Sequence, residues 1–206
     1  MPLPDEPRNA AQKRIRAAAT KLFADLGATR VSVSELAAAA GVARGTIYNN
    51  VGDTEGLFEK VAAQLVGEMA ERVERSLGSE KDPAQRMAHG IRLYIRRAHD
   101  EPDWGRFMNR FGFSNASMQA LWATDPVRNL RDGIESGRYK IRTEQLPSVL
   151  GMLTGAVLAA MYPVLEGHRT WRDAGSETAE LMLIALGVGR REANRLAAAE
   201  LPTLVD

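Results

Sequence analysis

Arg44, Thr46, Tyr48, Asn49 and Asn50 fall together in the segment ARGTIYNN. Their side chains are hydrogen-bond donors and acceptors of the kind that read base edges or hold phosphate oxygens. None is a metal ligand of the usual type or a general base, so the chemistry they suggest is recognition rather than catalysis. The spacing predicts a short helix from Ala43 or Arg44 to Asn50. Ile47 suits its inner face, roughly one turn after Val42, which leaves Arg44, Thr46, Asn49 and Asn50 facing outward.

The flanking elements explain how such a helix could be presented. Ser32 is followed three positions later by Glu35 and then by LAAAA, a capping-box pattern that starts a helix over Val33–Ala40. Gly41 ends it, because a residue without Cβ enters the left-handed conformation cheaply. Val42 is the apolar plug of the corner. Gly52 breaks the chain again, and Asp53 is an N-cap for a long helix expected over Thr54–Leu77. Spacing alone fits an ordinary αα-hairpin as well as a helix-turn-helix. Two details favour the second. The second helix is too short and polar to be a core element. The preceding segment carries Arg8, Lys13, Arg14, Arg16, Lys21 and Arg30 against Asp25 alone, the footprint expected for phosphate contact. That signal is local, since the whole chain is only +1 and residues 1–60 hold eight Lys/Arg against seven Asp/Glu.

Over Arg8–Val61 the chain resembles the DNA-binding domain of TetR-family transcriptional regulators. The landmarks are IRAAATKLFADLGATRVSV, then ELAAAAGVARGTIYNN, then the helix start at DTEGLF. The resemblance implies a motif at about residues 32–51 that contacts double-stranded DNA through Ser32, Arg44, Gly45, Thr46, Tyr48, Asn49, Asn50 and Thr54. Arg44, Thr46 and Asn49 would reach base edges or nearby phosphates. Tyr48, Asn50 and Thr54 would touch the backbone. Three positions depart from the family pattern. Ala43 stands where a Ser commonly caps the recognition helix, Val51 replaces an aromatic, and Thr54 replaces a Lys. The missing cap costs on the order of 1 kcal/mol.

The rest of the chain reads as helices with no alternating strand pattern. The expected fold is all-α, with about nine or ten helices. Residues 1–7 read as a disordered arm, 8–61 as the DNA-binding domain and 62–206 as a larger ligand-binding and dimerisation domain. Helices are expected over Pro83–Asp100, Trp104–Phe111, Ser117–Ser136, Glu144–Leu165, Ser176–Leu186 and Arg190–Ala199, with Pro126 kinking or breaking the third of these and Trp171 in a loop. Leu146–Leu165 has no charged residue and is long enough to span a bilayer. Its prolines, its polar residues and its amphipathic neighbours argue instead for a helix buried on all sides, with no membrane involved. One face then belongs in the domain core and the other in a homodimer interface, which fits Gly151 and Gly155 at close-packing spacing. The family forms a four-helix dimer interface from its eighth and ninth helices. The matching segments are Glu144–Leu165 and Ser176–Leu186, with Gly151, Thr154, Gly155, Leu158, Leu181 and Ile184 as interface candidates.

No catalytic constellation is present. His89, His99 and His168 lack helical Glu-x-x-His spacing, and no nucleotide-binding or metalloprotease motif occurs. No enzyme activity, cofactor or metal is expected. The absence of cysteine fits a reducing compartment, so a cytoplasmic location is expected. Trp104, Phe107, Met108, Phe111, Met118 and Trp122 cluster in sequence. With His89, Tyr94, Met152 and Tyr162 they are candidate walls of a pocket for a small, apolar ligand, a function the family places in this domain. The expected function is a ligand-released repressor on a palindromic operator. The alternatives are a helical small-molecule-binding protein, or a protein-interaction module, that keeps a helix-turn-helix corner.

Overall fold

The computed structural model describes residues 6–52, 54–113 and 125–205. Regular structure among them is helical throughout: α1 Glu6–Leu26, α2 Val33–Ala40, α3 Arg44–Val51, α4 Leu57–Leu77, α5 Pro83–Asp100, α6 Pro102–Phe111, α7 Asp125–Glu135, α8 Leu146–Leu165, α9 Trp171–Ala185 and α10 Arg190–Ala198. The chain divides into two compact units, Met1–Leu65 and Val66–Asp206, and the division falls within α4.

In the first unit α1, α2 and α3 pack on one another. Ile15, Ala19, Phe23, Leu36, Ile47, Phe58 and Ala62 are buried at its centre. The Phe23 and Phe58 rings meet edge to face at 5.2 Å, a favoured aromatic geometry. Each such ring stabilises the unit by roughly 1.5–3 kcal/mol through burial. Helix α4 begins at Leu57, where its apolar face begins and three residues later than an N-cap at Asp53 implies. Gly56 has φ +70°, a left-handed conformation that cannot continue a right-handed helix. Thr54 therefore lies in the turn before α4. The N-cap expected at Asp53 lies outside the described residues.

The second unit is built around α5, which packs against α6, α7, α8, α9 and α10. Two of its stripes do different work. Met87 and Ile91 are buried on one face with Tyr94 half-buried beyond them, while Gln85, His89 and Arg92 are buried on another. Helix α8, among the described residues the one helix apolar and long enough for a membrane span, packs on α5, α6, α7 and α9. A single 3-10 turn over Thr143–Gln145 leads into it. The loop expected at Trp171 is instead the first turn of α9, which starts five residues before Ser176. Thr170 is the cause: its Oγ1 accepts from the Asp173 amide at 3.1 Å, satisfying an orphan donor of the first turn. Of the helix expected over Ser117–Ser136, the described part is α7. Pro126 lies within it. The remainder lies outside the described residues.

Candidate nucleic-acid interface

Helix α2 is anchored at its start by a complete capping box. The Glu35 amide donates to Ser32 Oγ at 3.2 Å, and the Ser32 amide donates to Glu35 Oε2 at 2.8 Å. The Ser32 hydroxyl also donates to Glu35 Oε2, at 2.7 Å. These bonds from Ser32 hold the Glu35 carboxyl below the usual carboxylate range. At the other end Gly41 sits at φ 62°, ψ 40°, and its amide closes on Ala37 and Ala38. The left-handed residue turns the chain sharply, and α3 starts two residues after Val42.

Helix α3 is held by one fully buried side chain, Ile47. Ala43 occupies the N-cap with extended dihedrals, φ −69° and ψ 151°, and provides no side-chain bond. Arg44, Gly45, Tyr48 and Asn49 are exposed, Tyr48 at 60%. The side chains of Arg44, Tyr48 and Asn49 make no hydrogen bond or ion pair among the described residues. A Cβ at Gly45 would meet nothing within 4 Å, so the protomer does not itself require glycine there, although glycine weakens a helix by about 1 kcal/mol. Thr46 is half-buried. Asn50 is half-buried too, and its Nδ2 donates back to the Thr46 carbonyl at 2.8 Å. The amide of Asn50 therefore faces its own helix rather than outward.

Ser32 and Thr54, far apart in sequence, line one cleft with Arg30, Thr29, Glu55 and Glu59. On α1, Lys13 and Arg14 are exposed and Lys21 pairs with Asp25 at 2.9 Å.

The second unit holds a cavity of about 90 Å³. Val73, Leu77, Met87, Ile91, Leu153 and Val157 form apolar walls, and Glu74, Arg86, Tyr94 and Asn129 add polar groups. Of the residues expected to line a pocket, Tyr94 does. Trp104, Phe107, Met108 and Phe111 are packed core, each at most 5% exposed. His89 is buried on the other stripe of α5, with its Nε2 2.9 Å from Gln85 Nε2. Met152 and Tyr162 face outward. Met118 and Trp122 lie outside the described residues. The cavity residues absent from that expectation come from α4, from Met87 and Ile91 on the stripe of α5 that carries Tyr94, and from α7 and α8, and the helical periodicity of these positions is the same as that of any core face.

Two arginines, Arg92 and Arg97, are more buried than their type predicts, Arg97 the more so. Arg97 is 2% exposed; it bonds Glu68 at 2.7 Å and Glu101 at 2.9 Å and lies over the Trp104 ring at 4.6 Å. Burial pushes the Glu101 carboxyl up, but the bonds from Arg97 and Arg72 outweigh it and hold the group below its usual range. The i,i+4 spacing of Arg97 and Glu101 is the sequence signal that marks this pair.

Along α8 and α9, Gly151, Met152 and Leu181 are exposed, and Gly155 and Ile184 are half-buried. Thr154 and Leu158 are inside the protomer at 3% and 4% exposure, so the outward stripe does not include them.

Two family models match the chain: "Bacterial regulatory proteins, tetR family" over residues 15–61 and "Tetracyclin repressor-like, C-terminal domain" over residues 82–199. The chain belongs to the TetR family. It is a ligand-responsive, DNA-binding transcriptional regulator. Members of the family bind DNA operators and small ligands and form dimers. No protein of curated function matches the chain. Among solved structures, RolR in complex with resorcinol is 25% identical with a TM-score of 0.69, covering 98% of this chain and 100% of RolR. A TetR-family regulator from Marinobacter aquaeolei VT8 is 17% identical with a TM-score of 0.76, covering 89% of this chain and 98% of that one. The fatty acid degradation regulator FadR from Bacillus halodurans is 18% identical with a TM-score of 0.68, covering 83% and 97%. The last two carry the TetR fold alone.

Proposed function

We propose that this TetR-family protein is a homodimeric repressor that leaves a palindromic operator when a compact, largely apolar ligand enters the cavity beside α4. The observation that carries the DNA half is α3 itself. Arg44, Tyr48 and Asn49 are exposed with no partner among the described residues, on a helix tied down by Ile47 alone on its inner face. In the major groove Arg44 and Asn49 are suited to base edges, guanine and adenine respectively. Gly45 leaves room for close approach of the DNA backbone. Thr46 and Tyr48 supply further polar contact. Ser32 and Thr54 share one cleft with Arg30, which is the cation there suited to a phosphate, set against Glu55 and Glu59 on the same wall.

The outward stripe of Gly151, Met152, Gly155, Leu181 and Ile184 supports the dimer, because small residues admit close backbone approach and the large ones leave apolar surface to cover. A dimer places two reading helices on half-sites about one DNA turn apart, roughly 34–36 Å, or a multiple of it.

The cavity's mostly apolar walls with a few polar groups suit a ligand built on one substituted ring, and the resorcinol bound by RolR is of that class. Val73, Glu74 and Leu77 on α4 touch the cavity, and α4 continues into the unit that carries α3. A ligand that prefers one tilt of α4 changes the separation of the two heads. A differential affinity of about 1–3 kcal/mol suffices.

Arg44→Ala is expected to weaken operator binding by about 1–3 kcal/mol, or roughly 5- to 150-fold, with an unchanged melting curve. Unaltered gel-shift affinity would count against the assignment. A panel of single-ring phenols, resorcinol included, is expected to contain compounds that release the DNA. A panel without one would count against the cavity as effector site.

A further inference from the structure

The segment that follows α10 runs without regular structure over residues 199–205, yet it is pinned to two helices. The first anchor is α5. Gln85 Nε2 donates to the Leu196 carbonyl at 3.2 Å, and Arg92 Nη1 donates to the Ala199 carbonyl at 2.5 Å. Both carbonyls belong to the end of α10; that of Leu196 also accepts from the Ala199 amide at 3.3 Å. Gln85 and Arg92 are themselves buried, at 8% exposure each.

The second anchor is α4. Arg72 Nε donates to the Val205 carbonyl at 3.0 Å, and the Val205 amide donates to Ser76 Oγ at 2.9 Å. Donor and acceptor of one residue are thus both taken by side chains one turn apart on α4. The Ser76 hydroxyl in turn donates to the Arg72 carbonyl at 2.7 Å. Between the two anchors Leu201, Pro202 and Leu204 are half-buried.

Arg72 does more than hold the segment. Its Nη1 donates to Glu101 Oε1 at 3.0 Å, and Glu101 is bonded by Arg97, which also bonds Glu68 on α4. The far half of α4 is therefore gripped by the end of α5 through charge and by the segment after α10 through its backbone.

We propose that residues 199–205 form a strap that fixes the second half of α4 against α5 and so sets the position from which the helix transmits ligand binding. Val73, Glu74 and Leu77 on the cavity wall and Arg72 and Ser76 under the strap alternate along the same two turns. A ligand that moves the first set must carry the second, so the strap opposes or stores that motion. The regulatory half of this inference rests on the repressor reading above; the clamping half does not.

The test uses the full chain in three variants: Ser76→Ala, Val205→Pro and the double substitution. The first removes the acceptor of one hydrogen bond and the second removes its donor. Amide exchange is followed by mass spectrometry in peptides covering residues 68–77. Operator affinity is measured on the palindrome that the wild-type protein recovers from a random duplex library. Each single variant is expected to exchange at least threefold faster in residues 68–77, with α1–α3 unchanged, and to alter operator affinity at least threefold. The double variant is expected to match the faster single one, because both break the same bond. Unchanged exchange in α4, or effects that multiply in the double variant, would overturn the strap. Faster exchange with unaltered affinity would overturn its regulatory role. If the wild-type protein recovers no palindrome, the repressor reading fails, and the strap stands or falls on exchange alone.

Discussion

Ala43→Ser puts a missing hydroxyl where the backbone already awaits it. Ala43 has φ −69° and ψ 151°, close to the −77° and 154° of Ser32 at the start of α2. At Ser32 that geometry brings Oγ within 3.2 Å of the amide three residues on. The equivalent amide in α3 is that of Thr46, which now bonds the Ala43 carbonyl at 2.9 Å. A serine at 43 would offer it a second acceptor without backbone movement. Position 46 is Thr rather than Glu, so only one arm of the capping box can form, and the gain is about 1 kcal/mol, mid-range for an N-cap. That corresponds to roughly a fivefold slowing of amide exchange in Arg44–Val51, because RT is about 0.6 kcal/mol. Ala43→Val keeps extended dihedrals but has no acceptor, and is expected to leave exchange as it is. Ser32→Ala should lose a similar amount in Val33–Ala40. Exchange in α3 that does not slow in Ala43→Ser, or slows equally in Ala43→Val, would refute the hydroxyl as the cause.

Two further outcomes follow from the second unit. Burial first, and the charge of Arg92 second, hold the His89 imidazole below its ordinary 6.5. The unfolded chain therefore binds the proton more readily, so the stability tied to neutral His89 is complete above pH 6.5 and is lost as pH falls below that value towards the folded pKa. His89→Gln should flatten that part of a pH-dependent urea titration; an identical acid limb in both proteins would contradict it. Leu181 is 66% exposed on the outward face of α9. Leu181→Glu places a charge in the proposed dimer contact and is expected to give monomers by sedimentation velocity at micromolar concentration, while a persistent dimer would move the interface elsewhere.

The helix-turn-helix was legible because each of its parts follows a local rule. Ser32 and Glu35 cap each other across three residues, Gly41 alone suits the left-handed turn, and Ile47 is the single apolar side chain of α3 spaced to meet the corner. Such rules act over one helical turn and need no knowledge of distant chain. The all-α class was legible for the same reason. The start of α4 was misjudged by three residues, since the capping preference of Asp53 does not register the positive φ of Gly56. The start of α9 was missed at Thr170 because its partner is Asp173, outside the usual capping box.

The candidate sites in the second unit were much less legible. Periodicity says that α5 has buried faces but not what each one meets. Met87, Ile91 and Tyr94 line the cavity, while Gln85, His89 and Arg92 meet the end of α10 and the segment beyond it. The aromatic run Trp104–Phe111 had the composition of a pocket wall and became packed core, because apolar side chains serve either purpose and only neighbouring helices decide between them.

From its residues alone, then, this chain specified its helices, its capped glycine corner and an outward polar helix, all products of hydrogen bonding and backbone sterics within a few positions. Tertiary packing decided which apolar face encloses empty space and that Val205 lies across Arg72 and Ser76. Those outcomes join residues as many as 133 positions apart. They depend on how whole helices come together, which short-range spacing does not encode.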